Sequence, residues 1–279
     1  MLTAKPLTDC IGVEVTGVDL SAPPSPEEVA RLNSLFVEHS VLVVRDQKLS
    51  APEMVQAVAL FGEIFEQHNK RFALPDCPQI HYLSNQDHFE ASGKRYIPGE
   101  GYHTDHSNDP NPPKATVLHA VELPDSGGDT QFVDMRRAYD DLPEATKQRI
   151  AGLTAVHVYQ SKHSERKLMA LSPELQAKIP AAVRHPLVRT HPESGRKALY
   201  LNPIRIESID GLEEAEALEL LGALLEHATQ DTYQYRHKWR PGDLVMWDNR
   251  CLLHKANGDY DHSQRRYLYR VMLKGDRPV

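Results

Sequence analysis

Short apolar runs rich in β-branched residues follow one another from residue 79 to the C-terminus: 79–83, 115–123, 130–133, 155–158, 187–190, 198–201, 244–247, 251–254 and 266–273. Runs of this length, bounded by glycine, proline and aspartate, suit strands better than helices. Pro241-Gly242 marks one such boundary. Helices are expected only at 143–150 and 213–228 within this series. A doubly wound α/β sheet would need sustained strand–helix alternation, which is missing. The pattern instead predicts a mixed α and β chain with a jelly-roll-like β core and flanking helices.

The N-terminal part has a different character. Residues 12–18 read as a short strand. Ser25-Pro26-Glu27-Glu28 then offers an N-cap serine, a proline in the first turn and a glutamate at the third helical position. The helix it starts should run to about residue 39. Val41-Leu42-Val43-Val44 reads as a short buried strand by its β-branched content. Ser50-Ala51-Pro52-Glu53 repeats the capping signal for a helix ending near Phe61-Gly62.

No internal repeat or low-complexity linker divides the chain, and the 20 prolines are dispersed, so one domain over residues 1–279 is expected. Lysine plus arginine number 32 against 39 acidic residues, a net charge of -7. With no basic run, nucleic acid is not an expected partner. Cys10, Cys77 and Cys251 are odd in number and far apart, which argues against a disulfide scaffold or a thiolate zinc site and for a reducing compartment. Cys251 reads as a small core residue. The first ten residues lack the basic and apolar regions of a signal peptide, and no stretch is apolar enough for a membrane span, so a cytoplasmic location is expected.

Gly101-Tyr102-His103-Thr104-Asp105-His106 is the sharpest local feature. If this segment is a strand, His103 and Asp105 project from one face, a neutral imidazole beside a carboxylate. Such a pair is common and is by itself half of a metal site. His254, at the end of the apolar run 251–253, could supply a third ligand. Two histidines and a carboxylate on one face of an octahedron leave three positions open, which suits non-haem iron(II) oxygenases. Arg266 and Arg270, four apart on the last strand, share a face and could fork onto carboxylates, or form an exposed basic edge. Gly127-Gly128-Asp129-Thr130 supplies a turn and a hydroxyl entering a strand, a pattern that an ordinary hairpin also shows.

Taken in order, these pieces resemble the taurine dioxygenase/2,4-dichlorophenoxyacetate dioxygenase (TauD/TfdA-like) family of iron(II)- and 2-oxoglutarate-dependent enzymes. The resemblance runs from Ile11-Gly12-Val13-Glu14-Val15-Thr16-Gly17-Val18-Asp19-Leu20 through Val43-Val44-Arg45-Asp46-Gln47 and Phe61-Gly62-Glu63. It continues through His103-Thr104-Asp105, Gly127-Gly128-Asp129-Thr130 and His185-Pro186-Leu187-Val188-Arg189-Thr190-His191-Pro192 with Gly195-Arg196-Lys197-Ala198-Leu199-Tyr200. It ends with Trp247-Asp248-Asn249-Arg250, His254 and Gln264-Arg265-Arg266.

The resemblance implies a double-stranded β-helix core and a cytoplasmic oxidoreductase using Fe(II), O2 and 2-oxoglutarate. By residue, it implies His103, Asp105 and His254 as iron ligands, and Thr130 and Arg266 as the holders of the distal carboxylate of 2-oxoglutarate. Arg270 matches the arginine that in taurine dioxygenase faces the anionic group of the substrate. Relatives that halogenate lack the carboxylate at the Asp105 position, so its presence points to oxygenation. The expected reaction is hydroxylation of a small anionic molecule with release of succinate and CO2. Desaturation, oxidative decarboxylation and a metal-dependent hydrolase are the alternatives. His106 and Tyr102 flank the ligands and are candidates to meet substrate, with His68 and Asn69 behind them. Residues 66–100, together with Gly99 and His106 where the taurine enzyme has asparagine and valine, depart from that enzyme, so taurine itself is not the expected substrate. His119, His157, His185 and His191 are read as structural. Relatives are often dimers or tetramers, and the surface pattern does not choose among oligomeric states.

Overall fold

The computed structural model describes residues 2–67, 69–86 and 97–279. Its central feature is an eight-stranded sheet in the order β1 (Thr3–Pro6), β2 (Val13–Thr16), β3 (Val41–Val44), β14 (Leu244–Asp248), β6 (Ala115–Glu122), β16 (Tyr267–Leu273), β5 (Cys77–Ser84) and β4 (Ala73–Leu74). The pairings are antiparallel except that β2 runs parallel to β3. A three-stranded sheet orders β13 (Gln234–His237), β7 (Thr130–Asp134) and β15 (Leu252–Ala256). A second orders β12 (Ile206–Ile209), β8 (Thr154–His157) and β9 (Val183–Pro186), and β10 (Val188–Thr190) pairs with β11 (Lys197–Leu199).

Strand alternation sorts the core into layers. On the large sheet, Leu42, Val44, Val117, Leu244, Met246, Val271 and Leu273 pack with the apolar stripes of helices α1 (Pro26–His39) and α2 (Ala51–Ala59). The intervening residues Val41, Val43, Leu118, Val245, Trp247 and Leu268 form the other layer with Phe132 of β7 and Leu252 of β15. Both faces of the inner strands are therefore covered, which is why 41–44 is apolar without interruption. A third cluster joins α3 (Met135–Asp140), α4 (Glu144–Ile150) and α6 (Glu214–Ala228) to β8 and β11. The short helix α5 (Pro173–Gln176) buries no residue. None of the described helices is long and apolar enough to cross a membrane.

Both capping boxes form: the Ser25 and Ser50 hydroxyls accept from the backbone of Glu28 and Glu53, whose carboxylates accept from the serine backbone. The expected 187–190 strand is β10, and β9, just before Leu187, is a separate strand outside the expected runs; β1, β4, β12, β13, α3 and α5 likewise carry no strong periodic signal. The largest difference falls on the His103–Asp105 segment. It is not a strand. His103 makes a single bridge to His254, and a turn begins at Asp105, with His106 in the left-handed region at φ 47°. Juxtaposition of the two side chains rests on that turn and not on strand alternation.

Candidate active site

The layer between the large sheet and β13-β7-β15 opens into a cavity of about 400 Å³. Alternation aims the relevant side chains into it. His254 lies two residues beyond Leu252 on β15, Thr130 two before Phe132 on β7, and Arg270 two beyond Leu268 on β16, each partner residue belonging to that layer.

His103, Asp105 and His254 offer ligand atoms that all lie within 4.8 Å of one another. His103 Nε2 stands 3.8 Å from Asp105 Oδ1, and His254 Nε2 3.7 Å from Asp105 Oδ2. These gaps are too long for hydrogen bonds. The reciprocal backbone bonds between His103 and His254, 3.0 and 2.9 Å, bring the two histidines together. His103 Nδ1 donates to the Gly101 carbonyl at 2.9 Å, which leaves Nε2 its lone pair. The His254 ring packs tilted against Trp247, with 4.6 Å between ring centres. Burial pushes the His254 imidazole down to about 4 and that of His103 well below its ordinary value. Burial would raise the Asp105 carboxyl, but His254, His103 and Arg270 outweigh it and hold it below the usual range. At neutral pH the set is two neutral imidazoles and one carboxylate, the charge state that a divalent cation requires. The donor set therefore fits iron(II).

Two residues to which the sequence assigned no role, Thr116 and Asn249, orient Asp105. The Thr116 hydroxyl donates to Asp105 Oδ2 at 2.6 Å and accepts from Asn249 Nδ2 at 2.9 Å. Trp247 Nε1 in turn donates to Asn249 Oδ1 at 3.1 Å. The apolar content of 115–123 gave Thr116 no distinction, although its alternation with Val117 places it on the cavity-side face.

Arg266 sits immediately before β16 and is buried. Its Nε donates to the Gly128 carbonyl at 2.9 Å, while its terminal nitrogens meet no acceptor among the described residues. Burial lowers its guanidinium to about 10 against the opposing pull of Tyr260 and Asp129. The Thr130 hydroxyl accepts from Trp239 Nε1 at 3.0 Å, so its own proton is available to the cavity. Gly127-Gly128 is more than a hairpin turn. Both glycines have positive φ, a Cβ on Gly127 would lie 2.2 Å from the Asp259 carbonyl oxygen, and one on Gly128 would lie 3.1 Å from Arg266 Cδ and Nε. Glycine is needed there so that the turn can carry the arginine.

Arg270 Nη2 donates to Gln67 Oε1 at 2.6 Å, and its buried Nε has no partner among the described residues. His81, paired with Arg270 across β5 and β16, lines the same wall. His106 and Asn69 also line the cavity, His106 with its ring 5.6 Å from Phe65. Tyr102 is a correction: it is not among the lining side chains, because its hydroxyl donates to Gln234 Oε1 at 2.7 Å and its ring packs on the α3–α6 cluster. His68 lies outside the described residues. The histidines read as structural are each bonded within the fold: His119 to Gln47, His157 to Ser107, His185 to Asp109 and His191 to Asp248. Cys251 is buried against the Ser40 hydroxyl.

Comparison with known proteins places this geometry in context. A family model described as taurine catabolism dioxygenase TauD, TfdA family, matches residues 3–272. The alpha-ketoglutarate-dependent 2,4-dichlorophenoxyacetate dioxygenase of Cupriavidus pinatubonensis is 36% identical, over 100% of this chain and 99% of that one. The alpha-ketoglutarate-dependent sulfate ester dioxygenase of Pseudomonas putida is 32% identical, over 100% and 91%. The crystal structure of AAD-2 with Mn(II) and N-oxalylglycine superposes with a TM-score of 0.84 at 31% identity, over 100% of this chain and 99% of that one.

Proposed function

The chain belongs to the taurine catabolism dioxygenase TauD, TfdA family and is a 2-oxoglutarate-dependent non-haem iron dioxygenase, and on that premise we propose that it hydroxylates a small organic anion. The observation that carries the reading is convergence: the His103, Asp105 and His254 donors open into the same cavity as Arg266, Thr130 and Arg270. In this reading residues 1–279 form one domain whose facing sheets make a double-stranded β-helix, or jelly roll.

His103, Asp105 and His254 would hold the iron. The redox chemistry, in which 2-oxoglutarate is converted to succinate and CO2 while the substrate takes up oxygen, is supplied by iron(II) with O2. Everything else falls to the chain. Arg266 and the Thr130 hydroxyl bind the distal carboxylate of 2-oxoglutarate, contributing about 2–4 kcal/mol together as charge-assisted hydrogen bonds. Thr116 keeps Asp105 turned toward both imidazoles. Arg270, braced by Gln67, meets the anionic group of the substrate. The carboxylate and sulfate-ester names of the relatives support an anion at this position. The walls around Phe65, Phe72 and Tyr82 exclude water from the carbon to be oxidised.

Oxygen-free titration of metal-free protein with iron(II) and 2-oxoglutarate is expected to produce a visible metal-to-ligand charge-transfer band, and substrate anions are expected to shift it. A folded protein that gives no band would remove the proposed site. Gly128→Ala should displace Arg266 and raise the KM for 2-oxoglutarate roughly tenfold or more, while the iron content stays stoichiometric. Steady-state kinetics beside metal analysis separates these effects, and an unchanged KM would dissociate the turn from co-substrate binding.

A further inference from the structure

Among its described lining residues the cavity holds more positive charge than the proposed reaction uses. Arg166, Lys178, Arg205, Arg266 and Arg270 line it, whereas its described acids are Asp105 and Asp109. Asp105 faces the two histidines, and an Asp109 oxygen accepts from the Asn111 backbone at 2.9 Å. If Arg266 takes 2-oxoglutarate and Arg270 one substrate anion, Arg205 is among the cations not used, and unlike Lys178 it is not an exposed side chain. It has no carboxylate partner among the described residues, and its guanidinium makes one hydrogen bond, from Nη1 to the Tyr159 carbonyl at 2.8 Å.

Arg205 is also fixed relative to the metal-ligand candidates. It stands just before β12, on a sheet other than the one that carries Arg270. Its backbone N–H donates to Asn202, and its carbonyl accepts from Val158. Asn202 Nδ2 donates to the Thr104 carbonyl and to Ser107 Oγ, both at 2.8 Å, which staples this turn to the segment bearing Asp105. The guanidinium lies 5.3 Å from the centre of the Tyr159 ring. Arg166 adds a like charge that acts on Arg205, His103 and His254, and its Cδ lies 4.0 Å from where a Cβ on Gly101 would stand. The Asp105 carboxylate also acts on Arg205, but it faces the two histidines. A half-buried cation beside a second cation, held in place and facing a cavity, is costly to leave without a counter-charge of its own.

We infer that the primary substrate carries two anionic groups, one met by Arg270 and the other by Arg205 with Arg166 beside it, as in a dicarboxylate or a carboxylate bearing a distant sulfonate or phosphate. The inference rests on the dioxygenase reading, because it assigns Arg266 to 2-oxoglutarate. It narrows that reading from any small anion to a two-ended one, with the oxidised carbon between the anchors.

The test uses the full chain with iron(II) and saturating 2-oxoglutarate, without oxygen, the charge-transfer band reporting that the co-substrate stays bound. Straight-chain α,ω-dicarboxylates of four to ten carbons are titrated against the monocarboxylates of equal length by calorimetry. At least one dicarboxylate is expected to bind roughly ten- to a hundredfold more tightly than its matching monocarboxylate with the band retained. In Arg205→Gln that advantage should disappear, and in Arg205→Lys part of it should return. Three results would each overturn the inference: no dicarboxylate advantage at any length in the wild type, an advantage that survives in Arg205→Gln, or an advantage accompanied by loss of the band, which places the probe in the co-substrate site. The wild-type comparison decides even where Arg205→Gln does not fold. Absence of the band in the wild type before any probe is added would instead sink the dioxygenase reading, and this inference with it.

Discussion

Replacing Asp105 with alanine is expected to lower kcat/KM by at least about a thousandfold, with loss of stoichiometric iron. Asp105 is the one carboxylate among the three clustered donors, and both of its oxygens face imidazole nitrogens at 3.7 and 3.8 Å. Its removal leaves two neutral histidines, which bind a divalent cation weakly and do not balance its charge. The fold should survive, because Asp105 lies in a turn whose backbone is held by Asn202 and Asn249 through Thr104. Thr116→Val provides a graded comparison. It deletes the 2.6 Å bond that orients Asp105 while keeping the volume, and about ten- to a hundredfold weaker metal affinity is expected. Metal analysis, circular dichroism and turnover together separate loss of ligand from loss of fold. Near-normal turnover in Asp105→Ala would take Asp105 out of the site.

Arg250→Met is expected to destabilise the protein by about 3–5 kcal/mol, by stranding a buried carboxylate. Arg250 Nε and Nη2 donate to the two oxygens of Asp248 at 2.8 and 2.6 Å, and both side chains are buried. His191 Nε2 adds a third bond at 3.0 Å, its Nδ1 accepting from the backbone of Glu193 and Ser194. This network closes the turn between β14 and β15, so it also sets where His254 stands. Burial alone would raise the Asp248 carboxyl, but Arg250 and His191 outweigh it and hold it below the usual carboxylate range. The sign of the pH dependence follows. A depressed folded-state pKa contributes stability that is present above the unfolded value of about 3.9 and is lost as pH falls through the folded one. In Arg250→Met the stranded carboxyl protonates readily, so the deficit relative to wild type should shrink as pH falls toward about 4. Urea denaturation at pH 7 and near pH 4 measures both. A deficit under about 1 kcal/mol at pH 7, or one that widens in acid, would contradict this account.

The sequence by itself determined the local devices. The two serine–proline–glutamate starts appear as capping boxes because their partners lie three residues apart and need no tertiary help. The short apolar runs become strands because alternation buries them on both faces, as in 41–44 and 244–247. The sequence also named His103, Asp105, His254, Arg266 and Arg270, since their residue types and order are legible without coordinates. What only the tertiary structure decided is how these residues meet. His103 and Asp105 come together through a turn bridged to His254 and not through strand alternation, and the Tyr102 hydroxyl is bonded to Gln234 instead of lining the cavity. The roles of Gly127 and Gly128 rest on neighbours more than ninety residues distant, that of Arg205 on Tyr159 and on a turn that Asn202 fastens to Thr104, and that of Thr116 on a face of a strand that composition leaves unmarked. Local signals act over a few residues through backbone geometry. Contacts between distant segments are selected by packing the whole core, and no short window of sequence contains that sum.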